Sequence, residues 1–193
     1  MPVDPATLYL VTYPHPALRV RSKPIDKVTD EVRAVALRMI ELMKEEEGIG
    51  LAANQVGLAW RLFVAHVPDS DDPADDRSLL TDPISATRSP TVYINPVFSL
   101  PQRDLVPFDE GCLSLPDIRG EVRRPSQVTL TYTDLEGHRA TLRASGLLAR
   151  CWQHEMDHLD GTLIIDRMLQ IDRMKNRAAI RDLEERYERK KPL

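Results

Sequence analysis

Two histidines four residues apart, with a glutamate beside the first, constrain this chain more than any other stretch: His154-Glu155-Met156-Asp157-His158. On a helix, positions i and i+4 lie one turn apart on the same face, so both imidazoles can reach one metal ion. Glu155 cannot reach that ion as easily, but it can reach a water held there. Two nitrogen ligands, a base and a third ligand from elsewhere make a hydrolytic metal site. Upstream, Cys112 in Glu110-Gly111-Cys112-Leu113-Ser114 offers a thiolate as the third ligand and leaves one coordination position open.

A His-Glu-x-x-His match alone also fits an amphipathic helix whose imidazoles are solvated. The surroundings argue otherwise. Leu147, Leu148, Cys151 and Trp152 precede the motif at helical spacing and Leu159 follows it, so the helix is apolar on more than one side and reads as buried. Imidazoles and carboxylates are costly in such a helix unless something pairs with them, and a divalent cation does so. Ser145 suits the N-cap, and Asp160-Gly161 suits the exit.

With 193 residues and a formal net charge of -4, the chain reads as one domain, or one domain with an appendage, and carries no generic nucleic-acid-binding surface. It has no apolar run of the roughly 20 residues that span a bilayer, and no signal-peptide pattern, so no membrane partner is expected and the location reads as cytoplasmic. Its two cysteines are Cys112 and Cys151. A cytosolic setting disfavours a disulfide between them, which leaves Cys151, one turn before His154, as a small apolar residue lining the site.

Along the chain, a proline-rich start carries a short strand at Leu8–Thr12. A helix follows from Thr29 to Glu46, capped by Thr29, with Val32, Val35, Ala36, Met39, Leu42 and Met43 on its apolar face. Strands are expected at Leu62–Val67, Thr91–Leu100, Val122–Arg123, Gln127–Asp134 and His138–Ala144, with a hairpin turn at Gly137. Asp69–Pro90, carrying Asp69, Asp71, Asp72, Asp75 and Asp76, reads as an exposed loop without chemistry. A last helix is expected from Asp166 to Lys190. Strands with long helices at each end indicate an α+β fold.

Gly48-Ile49-Gly50-Leu51-Ala52-Ala53-Asn54-Gln55 lacks the glycine spacing of a phosphate loop. Its small residues instead let the backbone approach a ligand, with an edge free to pair with an extended peptide. Gln55 then offers an amide N–H to an oxyanion, against the plainer reading of an exposed amide after a turn. Arg124 can tie Glu110 or Asp157 by charge.

Together, Gly-x-Gly-x-Ala-Ala-x-Gln at 48–55, Glu-Gly-Cys-Leu-Ser at 110–114 and Gln-His-Glu-x-Asp-His at 153–158 resemble the three motifs of the peptide deformylases, and Pro14 to Arg19 resembles that family's opening segment. The resemblance covers roughly residues 8 to 170. It implies mixed or antiparallel sheets around a central metal-binding helix, with residues 1–165 as the catalytic metallohydrolase domain and 166–193 as a C-terminal helix. The implied reaction removes the formyl group from N-formylmethionyl peptides and releases formate. Carried over, it makes Cys112, His154 and His158 the metal ligands, Glu155 the general base and then acid, and Gln55 and the Leu113 N–H the donors to the formyl oxygen. Ile49 and Gly50 hold the peptide backbone, Glu110 and Gly111 flank the substrate, and Ile49, Leu113, Leu147 and Cys151 shape the methionine pocket. One divalent ion per chain is implied, Fe²⁺ physiologically, with Zn²⁺, Ni²⁺ or Co²⁺ as substitutes.

The competing enzyme reading is a zinc metallopeptidase, whose third ligand is usually a downstream His or acid. A non-enzymatic metal-stabilised module would need a fourth protein ligand, and none suggests itself. The C-terminal segment from Asp166 carries nine Lys/Arg against six Asp/Glu. That surplus fits a solvated helix face packed on the core; the resemblance also admits contact with the ribosome near the tunnel exit.

Overall fold

In a computed structural model, which describes residues 2–70, 72, 75, 77–99 and 104–190, the Thr29 side chain accepts a hydrogen bond from the Val32 N–H (3.3 Å) and starts helix α1, Asp30–Glu45. Asp30 and Glu31 sit at its positive end. Its expected apolar face is buried in full.

Strands β1 (Gly50–Ala52), β2 (Leu62–Ala65), β3 (Thr91–Phe98), β6 (Gln127–Thr133) and β7 (Arg139–Ser145) form one antiparallel sheet in the order β1-β2-β3-β6-β7. Alternation along β2 decides which helix each side chain meets. Phe63 and Ala65 pack with Tyr93, Leu130 and Trp152 of α2 (Gly146–Leu159), whereas Leu62 and Val64 pack with Val35 and Met39 of α1. The sheet therefore lies between the two helices. As the apolar flanks foretold, α2 is buried along nearly its whole length.

A second sheet is the hairpin of β4 (Leu105–Cys112) and β5 (Leu115–Pro125), joined by a two-residue turn at Leu113-Ser114. Only Val122–Arg123 of this hairpin was expected. Pro107 and Gly120 interrupt the strand pattern, but β4 pairs on one edge only, where a proline is tolerated. Leu115, Ile118 and Val122 build a third core with Leu18 and with Ile164, Ile165 and Met168.

The α+β class and the antiparallel pairing hold, and parallel pairing is limited to isolated bridges. Three expectations change. Leu8–Thr12 is extended but joins no sheet: Val11 N–H donates to Gln55 O (2.8 Å), while Tyr13 N–H donates to Ser114 O (2.9 Å), so the segment laces two loops together. The final helix is three pieces, α3 (Ile164–Arg167), α4 (Gln170–Lys175) and α5 (Arg177–Lys190). Docking on β5 breaks it: Leu169 N–H donates to Glu121 O (3.1 Å), and Asp172 accepts from the Glu121 N–H (3.0 Å). Asn176 donates to Arg119 O (2.7 Å). Ala179, Ile180 and Leu183 of α5 then pack on the third core.

The acidic loop is not all solvated. Asp71 and Asp76, like Leu100 of the expected third strand, lie outside the described residues. Ser85, Ala86 and Thr87 are buried, and Ile84 bridges to Ala144 while its carbonyl accepts from the Ser145 N–H (2.9 Å). The loop thus returns along the open edge of β7.

Candidate metal centre

Helix α2 presents His154 and His158 one turn apart with ring centroids 5.0 Å from each other, and the end of β4 brings Cys112 to them. Cys112 Sγ lies 3.2 Å from His158 Nε2, and one ligand atom from each of the three residues falls within 4.8 Å of the others. Ligands at tetrahedral metal bonds of about 2.0–2.3 Å stand roughly 3.3–3.7 Å apart, so the thiolate and two imidazoles fit a divalent cation. Both cysteines are free, with Cys151 Sγ donating to Ile49 O (3.3 Å).

Behind these groups lies a buried ionic network. Glu110 accepts two bonds from Arg124 (2.7 and 2.9 Å) and one from Arg150 (2.8 Å), and it meets His154 Nδ1 at 3.1 Å. This leaves Nε2 of His154 as the ring atom available to a cation. Arg124 also donates to Asp157 (2.7 Å), so it ties both of the acids that the sequence offered as alternatives. Burial opposes ionisation of Glu110, but the Arg124 and His154 contacts outweigh it and hold its pKa well below the usual carboxylate range. The carboxylate of Glu110 is thus engaged by protein and supports the His154 ring.

Burial pushes Glu155 the other way, up to about 7. Among the described residues its Oε2 has no hydrogen-bond partner. A buried, partnerless carboxylate oxygen beside a cluster of metal donors fits a base whose partner is a substrate or water. Its Oε1 presses on β1: a Cβ at Gly50 would come within 2.3 Å of it and within 2.8 Å of Cys151 Sγ. Only glycine lets the strand pass there.

The edge of β1 is open. His66 N–H donates to Ile49 O, and Leu51 pairs with Val64; by antiparallel alternation the N–H and C=O of Gly50 point away from β2. Gln55 is not the exposed amide of the plainer reading, being 1% exposed. Its Oε1 accepts from the Ala52 N–H (2.8 Å), and its Nε2 lies 3.2 Å from Ser114 Oγ and 3.8 Å from Cys112 Sγ. Leu113 sits in the hairpin turn with its side chain partly buried against the cluster that α1 forms with the sheet.

A cleft of about 570 Å³ collects these residues. Ile49, Gly50, Gln55, Glu110, Gly111, Cys112, Leu113, Leu147, Cys151, His154 and Glu155 all line it; His158 is buried behind. Sequence reasoning overlooked Phe108, Ser114 and Arg150. Arg150 carried a signal, since it lies four residues before His154 and a cation in a buried helix demands a partner.

The model of the family described as polypeptide deformylase matches residues 7–174. Peptide deformylase 2 of Gloeobacter violaceus is 47% identical over 78% of this chain and 73% of its own length. A peptide deformylase of Acinetobacter baumannii is 38% identical over 96% of this chain and 97% of its own. Crystals of the Plasmodium falciparum peptide deformylase gave a structure 34% identical, with a TM-score of 0.82, over 96% of this chain and all of that one.

Proposed function

The chain belongs to the polypeptide deformylase family, and from that premise we propose a division of labour among its site residues. The family activity is metal-dependent hydrolysis that removes the formyl group from an N-terminal methionine. In this reading Cys112, His154 and His158 hold one divalent ion, which supplies Lewis acidity when bound. The observation that supports it is the approach of the three donor atoms to within 4.8 Å, beside a buried carboxylate oxygen without a protein partner.

Glu155 takes the proton of the attacking water on its free oxygen and returns it to the amide nitrogen as the carbon–nitrogen bond breaks, releasing formate. Gln55 Nε2 and the Leu113 N–H donate to the formyl oxygen as charge develops on it. The open edge of Ile49–Gly50 receives the peptide backbone, with Gly111 on the facing strand. Ile49, Leu113, Leu147 and Cys151 form the methionine pocket. All of these groups lie within residues 1–165; residues 166–193 supply the helical appendage.

Fe²⁺ is the ion we assign, with Zn²⁺, Ni²⁺ and Co²⁺ able to replace it, since a Cys/His/His set suits all four. Among the described residues no helix is long and apolar enough to cross a membrane, and we place the enzyme in the cytoplasm. Its basic C-terminal segment packs on the third core through Ala179, Ile180 and Leu183, and contact of its charged face with the ribosome near the tunnel exit is the second reading of that segment. The upstream thiolate separates this reading from a zinc metallopeptidase.

The deciding experiment follows one peptide with and without its formyl group, using anaerobically purified protein of measured metal content. Formate release from the formylated peptide alone is expected. Cutting of internal bonds would overturn the assignment.

A further inference from the structure

A short 3₁₀ helix at Ala53–Val56 carries Gln55, and the tight turn between β4 and β5 carries Ser114. The extended chain at 11–13 binds both: the Val11 N–H donates to the Gln55 carbonyl (2.8 Å) and the Tyr13 N–H to the Ser114 carbonyl (2.9 Å). In an extended chain the N–H groups of positions i and i+2 point the same way, about 7 Å apart, so the two residues are set side by side. Both are buried. Ser114 stands behind Gln55 and does not line the cleft, whereas Gln55 does.

An amide held at one point can still turn. The Ala52 N–H donates to Gln55 Oε1 (2.8 Å), and this decides which end of the amide faces which way, since a flipped amide would set N–H against N–H. That bond alone leaves the amide plane free to rotate about it. Gln55 Nε2 donates to Ser114 Oγ (3.2 Å), and this second anchor removes the rotation. The amide NH₂ group is planar with two protons, so once one is engaged the direction of the other is fixed. The remaining proton is left on the side of Cys112, whose Sγ lies 3.8 Å from Nε2.

We infer that Ser114 is a positioning residue for the reaction: its hydroxyl fixes the plane of the Gln55 amide and so aims the free Nε2 proton at the formyl oxygen. This rests on the reading above that Gln55 is a donor to that oxygen. Ser114 acts through Gln55 and touches no reacting atom. The aim matters because such a donor stabilises developing charge only if it is oriented before the charge appears.

The test compares wild type, Ser114→Ala, Gln55→Leu and the double variant, all loaded with Zn²⁺ to equal content, on N-formyl-Met-Ala-Ser. Ser114→Ala keeps the donor but frees its plane. Its kcat should fall about tenfold, less than the about 10²–10³ expected on losing the donor itself, with KM little changed. In the Gln55→Leu background the same change should cost less than about twofold, because the amide it aims is gone. A residue that merely stabilises the turn would cost the same factor in both backgrounds. NMR of the isotope-labelled Zn²⁺ protein gives a readout apart from turnover. The Nε2 proton held by Ser114 should move upfield in Ser114→Ala, while the Ala52 N–H, still bound to Oε1, keeps its shift.

An unchanged kcat in Ser114→Ala, a loss that multiplies with that of Gln55→Leu, or an unmoved Nε2 proton overturns the inference. Should Ser114→Ala not fold, Ser114→Cys keeps nearly the same volume with a weaker acceptor and must show a smaller loss, again absent in the Gln55→Leu background. Gln55→Leu that turns over at the wild-type rate refutes the donor reading itself. That outcome is read from the single variant and is distinct from a failure of coupling between the two residues.

Discussion

Arg124 holds Glu110 by two parallel hydrogen bonds of 2.7 and 2.9 Å, with both residues about 5% exposed. Glu110 in turn meets Nδ1 of His154, so the guanidinium sets the orientation of an imidazole it does not touch. Removing one partner of a buried pair leaves the other charge uncompensated. Arg124→Leu is expected to cost about 3–5 kcal/mol in denaturant unfolding. It should also weaken metal binding by about 10–100-fold, read by competition with a chelator.

Gly50→Ala places a methyl group where Glu155 Oε1 and Cys151 Sγ already stand, at 2.3 and 2.8 Å. The carboxylate must move or the strand must shift. Turnover should fall by about 100-fold, as misplacement of about 1 Å does, with metal content unchanged. Full activity in this variant would show that the Glu155 position is not critical.

On the proposed division of labour Gln55→Leu removes one donor to the formyl oxygen, and the loss of such a donor costs about 10²–10³ in rate. The same change breaks the contact with Ser114 and uncaps the Ala52 N–H. The expected signature is a fall in kcat much larger than the fall in bound metal. Glu155→Ala should retain metal and lose nearly all turnover.

Asp166 bonds to the Arg19 side chain and accepts from the Leu163 N–H at 2.8 Å. Burial raises its pKa, but the Arg19 contact and the backbone bond outweigh this and leave the group below 3.8. A depressed carboxylate pKa adds stability that is present above the unfolded value and lost as the pH falls through the folded one. Because the group is one-third exposed, the pair is screened and worth about 1 kcal/mol or less. Asp166→Asn should lower the unfolding free energy by that amount at pH 7. The difference from wild type should close as the pH drops below about 4.

Deleting residues 177–193 removes the apolar contacts of Ala179, Ile180 and Leu183 and the Tyr13–Glu184 hydrogen bond (2.8 Å). Reduced Tm is expected. If the basic segment meets the ribosome, co-sedimentation with ribosomes should fall as well; undiminished co-sedimentation would refute that contact.

Local signals carried helix α2 and the shared face of His154 and His158, because a His-Glu-x-x-His spacing on a helix fixes relative geometry by itself. They carried α1 as well, through one cap and one apolar stripe. They did not carry β4, where Pro107 argues against a strand and only pairing with β5 restores it. Nor did they divide the last helix, whose breaks come from bonds to Glu121 and Arg119 far back in the chain.

Spacing along the chain thus determined that His154 and His158 face one point, since that depends on helical periodicity alone, whereas Cys112 reaches them only through the fold of β4. Tertiary structure decided what surrounds those atoms: that Glu110 supports His154, that Arg150 and Phe108 wall the cleft, and that Ile84 closes along β7. The physical reason is that burial and ion pairing are properties of segments far apart in sequence. A carboxylate such as Glu110 is read as substrate-facing or structural only once the arginines that meet it are in place.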